Sequence, residues 1–519
     1  MKKKKMLVLA LTASIAMTAA LAGCSNKEEA NAPANSNGNK TEAPTEFNIT
    51  TINYNSEAPA NDNPVELEME KRTNTKINVT YLPSNNYGDK FNVMLASGEI
   101  PDVLLTPYIF SPEVTRAIKE GAFWDLTPYI QDYPNIIKNY PKESIENTKV
   151  EGKIYGLPRP RPLVGGASFP LLRQDWMDKL GLKTPETMEE LYTVLKAFTE
   201  KDPDGNGKKD TYGFTGHVAE GWMDQLDFIE STFHGYNGMV VSKDGKTIFR
   251  DLEPAAREAL LWLQRAYKEG VLSPDFAIIQ GSQVKDMMNQ GKVGMIPTSM
   301  DSKNVGEILA ALKTKTPDAN IAHLPYLITP STGNKFAIKE GGFFGNYLIS
   351  KKVPEDKMKK ILAFFDYGAT PEGMELANYG IKDVHFTIGE DGKKTTNEEF
   401  KKIAAASLNN IWTNIDPYSR ISQPAPDYPK EYFERDKKII EERLKYGVFI
   451  NNSGVSSETE LQLGTEIYKK IQDMKIKVIM GKQPIEAWDK LVEQMKNDAN
   501  VKKIIEERDA SYKQLFGSK

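Results

Sequence analysis

A single cysteine stands in the 519 residues. No internal disulfide framework and no cysteine-rich zinc site can be built from it. Only four histidines occur, His217, His234, His323 and His385, scattered without ligand spacing and without an HExxH run. Each reads as a surface or hydrogen-bonded imidazole rather than a metal ligand or catalytic base. Basic charge is not in excess: 67 Lys and Arg face 71 Asp and Glu, a formal net charge of −4. With no cationic balance to neutralise a phosphate backbone, nucleic acid is not an expected partner. Beyond the first residues no apolar 18-mer exists, so no later helix is expected to span a membrane. Catalytic signatures are also missing. Gly245-Lys246-Thr247 has Val240 where a phosphate-cradling loop needs its first glycine, and there is no GxSxG elbow. A pair of glycosidase carboxylates stays open, because 71 acids allow any pair and their separation is invisible in sequence.

What is present is ordinary globular composition, 39% apolar and 27% charged, with room for two or three domains. The N-terminus is different. Lys2 to Lys5 form a cationic start, Met6 to Leu21 an apolar run broken only by Thr and Ser, and Leu21-Ala22-Gly23-Cys24 follows. This is an export signal, too short for a spanning helix of ~20 residues. Its end resembles a bacterial lipoprotein lipobox, which makes Cys24 the lipidated N-terminus after cleavage; two or more acyl chains give stable anchoring. Cleavage takes four lysines and no acid from the net charge of −4, leaving −8. Ser25 to Thr45 has no large apolar residue and reads as a tether of roughly 25 Å root-mean-square span.

From residue 46 helix-like and strand-like stretches alternate to about residue 380, and the remainder is helix-rich. This argues an α/β class. Phe47 to Ile52 and Ile77 to Tyr81 read as strands, Val65 to Thr73 and Asn92 to Ser97 as helices, and Val103-Leu104-Leu105 as a buried strand. Ser111-Pro112-Glu113 and Thr184-Pro185-Glu186 mark helix starts by a cap, a proline and an acid on the positive dipole end.

The sharpest chemical signal runs from Asp202 to Asp210. Asp202, Asp204 and Asn206 stand at positions 1, 3 and 5 of an EF-hand-like loop, Gly207 at the turning position 6, Lys208 at the carbonyl-donating position 7 and Asp210 at position 9. Hard oxygens at alternate positions converge on a calcium ion. Position 12 is Gly213 instead of the bidentate Glu, so a static structural site is expected, its last ligand water, the Thr211 region or a distant acid. The bland reading is a turn closing the helix before it.

Among the six tryptophans, Trp176, Trp262 and Trp488 lie on helical apolar stripes and read as core. Trp124, Trp222 and Trp412 lie outside such stripes. An aromatic face beside amides and a carboxylate suits a sugar, which makes Trp412, with Asn410 beside it, and Trp222 candidate ligand contacts. Tyr155 to Pro162 is a stiff crossing segment; its Arg159 and Arg161 would favour a carboxylated ligand such as a uronate if they face one.

Several ordered segments then carry a family resemblance. Met94-Leu95-Ala96-Ser97-Gly98 with Pro101-Asp102, Gly121 with Asp125-Leu126-Thr127-Pro128-Tyr129, Tyr155-Gly156-Leu157-Pro158, Arg173-Gln174-Asp175-Trp176-Met177-Asp178-Lys179-Leu180-Gly181-Leu182 and Gly291-Lys292-Val293-Gly294-Met295 resemble the family 1 extracellular solute-binding proteins. The nearest resemblance is to the large oligosaccharide-binding lipoproteins of ABC importers, which include alginate-oligosaccharide-binding proteins with a calcium loop of this kind. Gln174 and Thr211 depart from the pattern, where a basic and an acidic residue are usual. The resemblance implies a two-lobe periplasmic-binding-protein-like (type II) fold with the ligand between the lobes. It implies one lobe of 46–160 and 296–344, another of 161–295 and 345–519, and crossings near Leu157, Met295 and Phe344 to Tyr347.

The reading is a non-enzymatic, monomeric receptor on the extracellular face of the cell membrane. It would bind an oligosaccharide between closing lobes, through Trp412, Trp222, Arg159 and Asn410, and deliver it to permease subunits. The rivals are a peptide receptor and a surface-anchored carbohydrate hydrolase or lyase.

Overall fold

The computed structural model describes residues 43–53, 58–84, 87–243, 245–390, 394–403, 410–413, 415–422, 425 and 427–516. The signal, Cys24 and nearly all of the tether lie outside them.

Local chemistry sets the first unit. In Thr45–Asn53 alternate side chains turn inward before the strand becomes fully buried. Asn63 then caps the helix Pro64–Thr73, its Oδ1 accepting from the Val65 and Glu66 amides at 3.1 Å. Asn74 ends that helix in the left-handed region, φ 51°, and the chain returns at once as a parallel strand. Ser111 caps Pro112–Lys119 as its sequence predicts. The helix expected at Thr184 starts later, at Met188. Thr187 and Glu190 close a reciprocal capping box there, which satisfies two amide donors and outcompetes the earlier proline.

Nine strands build the two central sheets: β1 (Thr45–Asn53), β2 (Thr75–Pro83), β3 (Val103–Thr106), β4 (Gly156–Pro160), β5 (Phe169–Arg173), β6 (Tyr212–Phe214), β7 (Val293–Thr298), β8 (Ile321–His323) and β9 (Phe343–Ile349). The first sheet has the order β2-β1-β3-β9-β4, the second β8-β5-β7-β6. In the first, β1, β2 and β3 are parallel and β9 runs antiparallel between β3 and β4. In the second, β6 and β7 are parallel, and β5 is antiparallel to β7 and β8.

Each sheet has its own core. Phe47, Leu104, Leu348, Phe364 and Trp412 share one cluster. Phe169, Leu195, Trp262, Met295 and Trp488 share another, and Ile296, Ile308, Ile321 and Ile440 pack beside β7 and β8. This redraws the lobes expected from the resemblance. Residues 296–338 belong with the second sheet, because β7 pairs β5 and β6, and β8 pairs β5. The described residues of 343–412 belong with the first, through β9 and the helices Glu355–Gly368 and Pro371–Tyr379. The chain therefore crosses at 161–168, at 339–342 and between Trp412 and Ile421, and Met295 is not a crossing.

Strand directions fix where the crossings lie. β1 and β3 end, β9 begins and β4 ends at one edge of the first sheet, where Phe343 sits opposite Pro160. β6, β7 and β8 end and β5 begins at one edge of the second, where Phe169 sits opposite Thr298. Ligands of open α/β sheets bind outside such carboxyl ends; the first crossing runs from the end of β4 to the start of β5, and the second enters the first sheet at the same edge as β9. The first two crossings are laced together. The Arg161 amide donates to the Gly342 carbonyl at 2.8 Å and the Glu340 amide to Leu163 at 2.7 Å, while the Met300 amide of the second lobe holds Gly165 at 2.8 Å.

The C-terminal helices belong to the second lobe. Lys475, on Glu458–Ile479, reaches Glu230 at 2.7 Å and Asp251 at 2.5 Å, and Arg250 pairs with Asp227 and, at 2.9 Å, with Glu230. All five side chains are nearly sealed from solvent, so each needs its partners. The start of the same helix is held by Glu507. This carboxylate accepts from the Ser457 hydroxyl at 2.5 Å, the Thr459 amide at 2.9 Å and the Thr459 hydroxyl at 3.0 Å. Those bonds, the Ser457 hydroxyl first, hold its pKa down at about 2. A depressed carboxylate stabilises the fold above its unfolded value near 4.5 and loses that contribution as pH falls toward 2. Glu507→Gln should therefore cost about 1–2 kcal/mol at pH 7, discounted for partial exposure. In urea titrations the difference should close between pH 4.5 and 2.

Candidate functional site

The first lobe's rim is polar beneath and aromatic above. Arg159, on β4, is buried and donates through one Nη to the Asn410 side-chain oxygen. The Asn410 amide donates to the Ile52 carbonyl at 3.0 Å, and its carbonyl accepts from the Tyr347 hydroxyl at 2.8 Å, which lies 2.9 Å from Thr51 Oγ1. Arg159 and Asn410, expected as polar contacts, are thus brought together. What they do here is tie the strand ends to the returning chain. Above them β9 carries a register shift between Phe343 and Asn346. Gly345 sits in it at φ 78°, where a Cβ would lie 2.7 Å from the Thr106 carbonyl. A bulge at a rim re-aims side chains, and Phe344 comes out of it half exposed, its ring centroid 5.7 Å from Arg159 Cζ. Tyr108, just past β3, is exposed on the same rim.

The second lobe answers with the loop after β6. Trp222 is 43% exposed. Its backbone carbonyl accepts from the Gln472 amide at 2.6 Å, and Ala219 and Trp222 exchange hydrogen bonds at 3.0 and 3.1 Å, so a rigid turn presents the ring. Beside it His217 stands 2.8 Å from Gln225 Oε1 and 3.0 Å from Asp224 Oδ2. Gln225 in turn donates to the Pro297 carbonyl at 3.0 Å, at the carboxyl end of β7. Asp224 holds φ at 42°, a strained position for a non-glycine residue. An exposed indole in the same loop as a fixed imidazole, amide and carboxylate supplies groups for stacking and hydrogen bonding. Sequence reasoning found Trp222 and missed His217, Asp224 and Gln225. The available signal was a cluster of polar side chains directly after a short buried strand. The two rims also touch, since a Cβ on Gly454 would lie 2.8 Å from Phe110 of the first lobe and 3.2 Å from Leu515 of the second.

Trp412 is corrected. It is 1% exposed, with its ring 4.9 Å from Phe364 and 5.6 Å from Tyr367, and a Cβ on Gly368 would collide with it at 2.2 Å. A ring so enclosed offers no face to a ligand. Trp124, Trp176, Trp262 and Trp488 are buried as well.

The acidic loop lies at the opposite edge of the second sheet, leading into the amino end of β6. Asp202, at φ 49°, accepts the Asn206 and Gly207 amides at 3.0 Å each, and Gly207 turns at φ 76°. The Asn206 side-chain amide reaches Asp204 at 2.8 Å and Asp210 at 3.1 Å. The Gly207 amide, first of several donors, holds the Asp202 pKa down, while burial and then the hydrogen bond with Asp202 push Asp204 up. Donor types and order thus fit calcium. Among the described residues no three His, Cys, Asp or Glu side chains are gathered closely enough to hold a metal, so amide and carbonyl oxygens are needed too. Gly213 shows why no twelfth-position glutamate exists: its Cβ would lie 2.5 Å from the Leu195 carbonyl. Thr211 is buried and donates to the Phe198 carbonyl at 2.8 Å, so its hydroxyl faces away from the loop.

Two substitutions separate core from rim. Trp412→Phe should lower stability in urea by roughly 1–3 kcal/mol and leave ligand affinity in calorimetric titration unchanged. Trp222→Ala should shift stability by no more than about 0.5 kcal/mol and weaken binding at least about tenfold, ~1.4 kcal/mol.

Comparison with known proteins agrees with this architecture. The model of the bacterial extracellular solute-binding protein family matches residues 54–375. Lipoprotein LipO of Bacillus subtilis (strain 168) is 30% identical over 499 residues, 95% of each chain. The polygalacturonan/rhamnogalacturonan-binding protein YtcQ of the same organism is 29% identical over 520 residues, 98% of each. Among solved structures, the alginate-binding protein AlgQ2 without calcium ion superposes with a TM-score of 0.60 over 91% of this chain and 98% of that one, at 20% identity. That last likeness carries the fold alone. With the two sheets, their facing carboxyl edges and the family match in agreement, the chain belongs to the bacterial extracellular solute-binding proteins and has their two-lobe α/β fold.

Proposed function

We propose that this protein is a lipid-anchored extracellular receptor that captures an oligosaccharide between its lobes and presents it to the permease of an ABC importer. The observation that carries this is the facing of two carboxyl sheet edges across three crossings, with Trp222, Phe344 and Tyr108 exposed on the rims. Ligand that contacts both lobes only when they close stabilises the closed form by its differential affinity. The saccharide class is supported by the aromatic and polar rims and by the printed name of YtcQ. The anchor is supported by the lipobox at Cys24 and by the printed name of LipO. The receptor returns its ligand unchanged and acts as a monomer; the energy of transport comes from a separate ATPase, in keeping with Val240 in place of the P-loop glycine.

Calcium is the second part of the reading. Asp202, Asp204, Asn206, Asp210 and the Lys208 carbonyl would hold it, with water completing the shell. Bound there, it offsets two of the three carboxylate charges in the loop and stiffens the amino end of β6, away from the ligand.

Thermal unfolding of the mature chain against saccharide and peptide panels tests the receptor. A saccharide at 100 times its Kd should stabilise by about 2.7 kcal/mol and raise the midpoint. Shifts with peptides alone would replace the substrate class, and release of cleaved sugar would replace the receptor by an enzyme. Chelator should lower the midpoint of the wild type and leave Asp202→Asn unmoved, with saccharide affinity of the two proteins alike. A wild-type midpoint indifferent to chelator would remove the calcium site.

A further inference from the structure

Glu340 stands in the second crossing and holds the other two. Its Oε2 accepts from the Gly166 amide of the first crossing at 2.8 Å, and its Oε1 lies 3.8 Å from Arg420 Nη2 of the third. Its own amide donates to the Leu163 carbonyl at 2.7 Å, so backbone and side chain grip the first crossing at two points. A bond from an amide to a carboxylate is stronger than one between neutral groups. Gly166 shows how close the approach is. A Cβ there would lie 2.5 Å from either oxygen of Glu340 and closer still to Arg420 Nη2. Only glycine leaves room for both side chains over one backbone position.

All three residues sit at the second-lobe ends of their crossings. Gly166 comes just before β5, Glu340 just after the strand Lys335–Ile338, and Arg420 directly before Ile421 of the second-lobe core. The other side of the second crossing belongs to the first lobe. The Gly341 carbonyl accepts from the Asn147 side-chain amide at 3.0 Å, and Gly342, at φ 82°, leads straight into β9. Between Glu340 and β9 the chain therefore changes lobes over two glycines, which have no side chain to restrict rotation. A hinge is a few residues that absorb a backbone rotation. Three connections bend about one axis only where something holds them together beside the bend; left independent, each bends where it is softest.

We propose that Glu340 is a positioning residue of the hinge. With Gly166 and Arg420 it clamps the second-lobe ends of the three crossings into one base, so that the lobes close as a single rotation about Gly341-Gly342. This deepens the receptor reading and rests on the lobe closure within it. The clamp touches no ligand. It acts on the free receptor, by narrowing the range of lobe arrangements from which a ligand selects. Loosening it spreads the free protein over more arrangements, and apparent affinity falls with the fraction competent to bind.

Pulsed electron spin resonance distances in the ligand-free mature chain test it. Cys24→Ser removes the native thiol. Spin labels at Val93→Cys and Leu461→Cys report across the lobes, both sites being well exposed on the helices Tyr87–Ser97 and Glu458–Ile479. Labels at Ile278→Cys and Leu461→Cys, both in the second lobe, are the control. Glu340→Ala should widen the interlobe distance distribution at least about twofold and leave the control distribution unchanged. Glu340→Gln, which keeps an acceptor for the Gly166 amide, should widen it less. Gly166→Ala should act as Glu340→Ala does; each variant is checked for a cooperative thermal transition, and the Glu340 pair decides where Gly166→Ala fails to fold. An interlobe width unchanged in Glu340→Ala overturns the inference. So does a control pair that widens with it, since Glu340 would then support the lobe and not the hinge. No saccharide enters these measurements. Their failure leaves the receptor reading standing, and a saccharide panel without a shift leaves the clamp to be judged by the distances.

Discussion

The strand Phe343–Ile349 is the constraint on which the architecture depends. It enters the first sheet between β3 and β4, running against its neighbours on both sides. A strand that arrives from the second lobe and pairs centrally in the first cannot be a peripheral attachment. It obliges the chain to leave the first lobe after Pro160, return at 339–342 and leave again after Trp412. It also brings Tyr347 to the one place where its hydroxyl reaches both Thr51 and the Asn410 carbonyl. Through those two bonds the strand ends of the first sheet are fastened to the last segment of the lobe. The cleft is therefore bounded by backbone that three separate stretches of sequence must complete.

Much of this was legible from residue pattern. The alternation in 47–52, the capped helices, the proline-stiffened segment at 158–162 and the helical tryptophans announce themselves through short-range rules. Lobe membership did not. A buried strand such as β7 or β9 has the same apolar run whichever sheet receives it, and no local signal names its partner. Trp412 misled for a related reason. Its neighbours Asn410 and Thr413 are polar, which suggests an exposed ring, but both are themselves buried. Space for the indole comes from Gly368, far away in sequence on a helix of the same lobe. The His217, Asp224 and Gln225 group was missed because its meaning depends on lying past the carboxyl end of β6, which is a property of topology.

Charge is managed differently in three parts of the molecule. In the second lobe the Arg250, Lys475, Asp227, Glu230 and Asp251 group is internally paired, so its charges contribute specificity of helix docking with little exposed field. In the acidic loop like charges are concentrated, and Asp202 meets the repulsion with the amides of Asn206 and Gly207. At the crossings Arg159 is tied to Asn410 and Arg420 stands near Glu340. The first arrangement is closed, whereas the second gathers like charge in one exposed loop.

The acidic loop enters the amino end of β6, a strand only three residues long, and the Trp222 turn leaves its carboxyl end. A cation that fixes the first therefore fixes the starting point of the second, without contacting the cleft. The coupling has to act through stability of the lobe, because the Thr211 hydroxyl and the Gly213 backbone between them are already committed to the Phe198 carbonyl and to close packing against Leu195. A strand held on both sides transmits position well and has little freedom to change between two arrangements. This is why the loop fits a permanent brace better than a switch. The closure proposed above, by contrast, needs freedom, and the crossings are where the chain passes between lobes, the first two joined by the Arg161–Gly342 and Glu340–Leu163 backbone bonds.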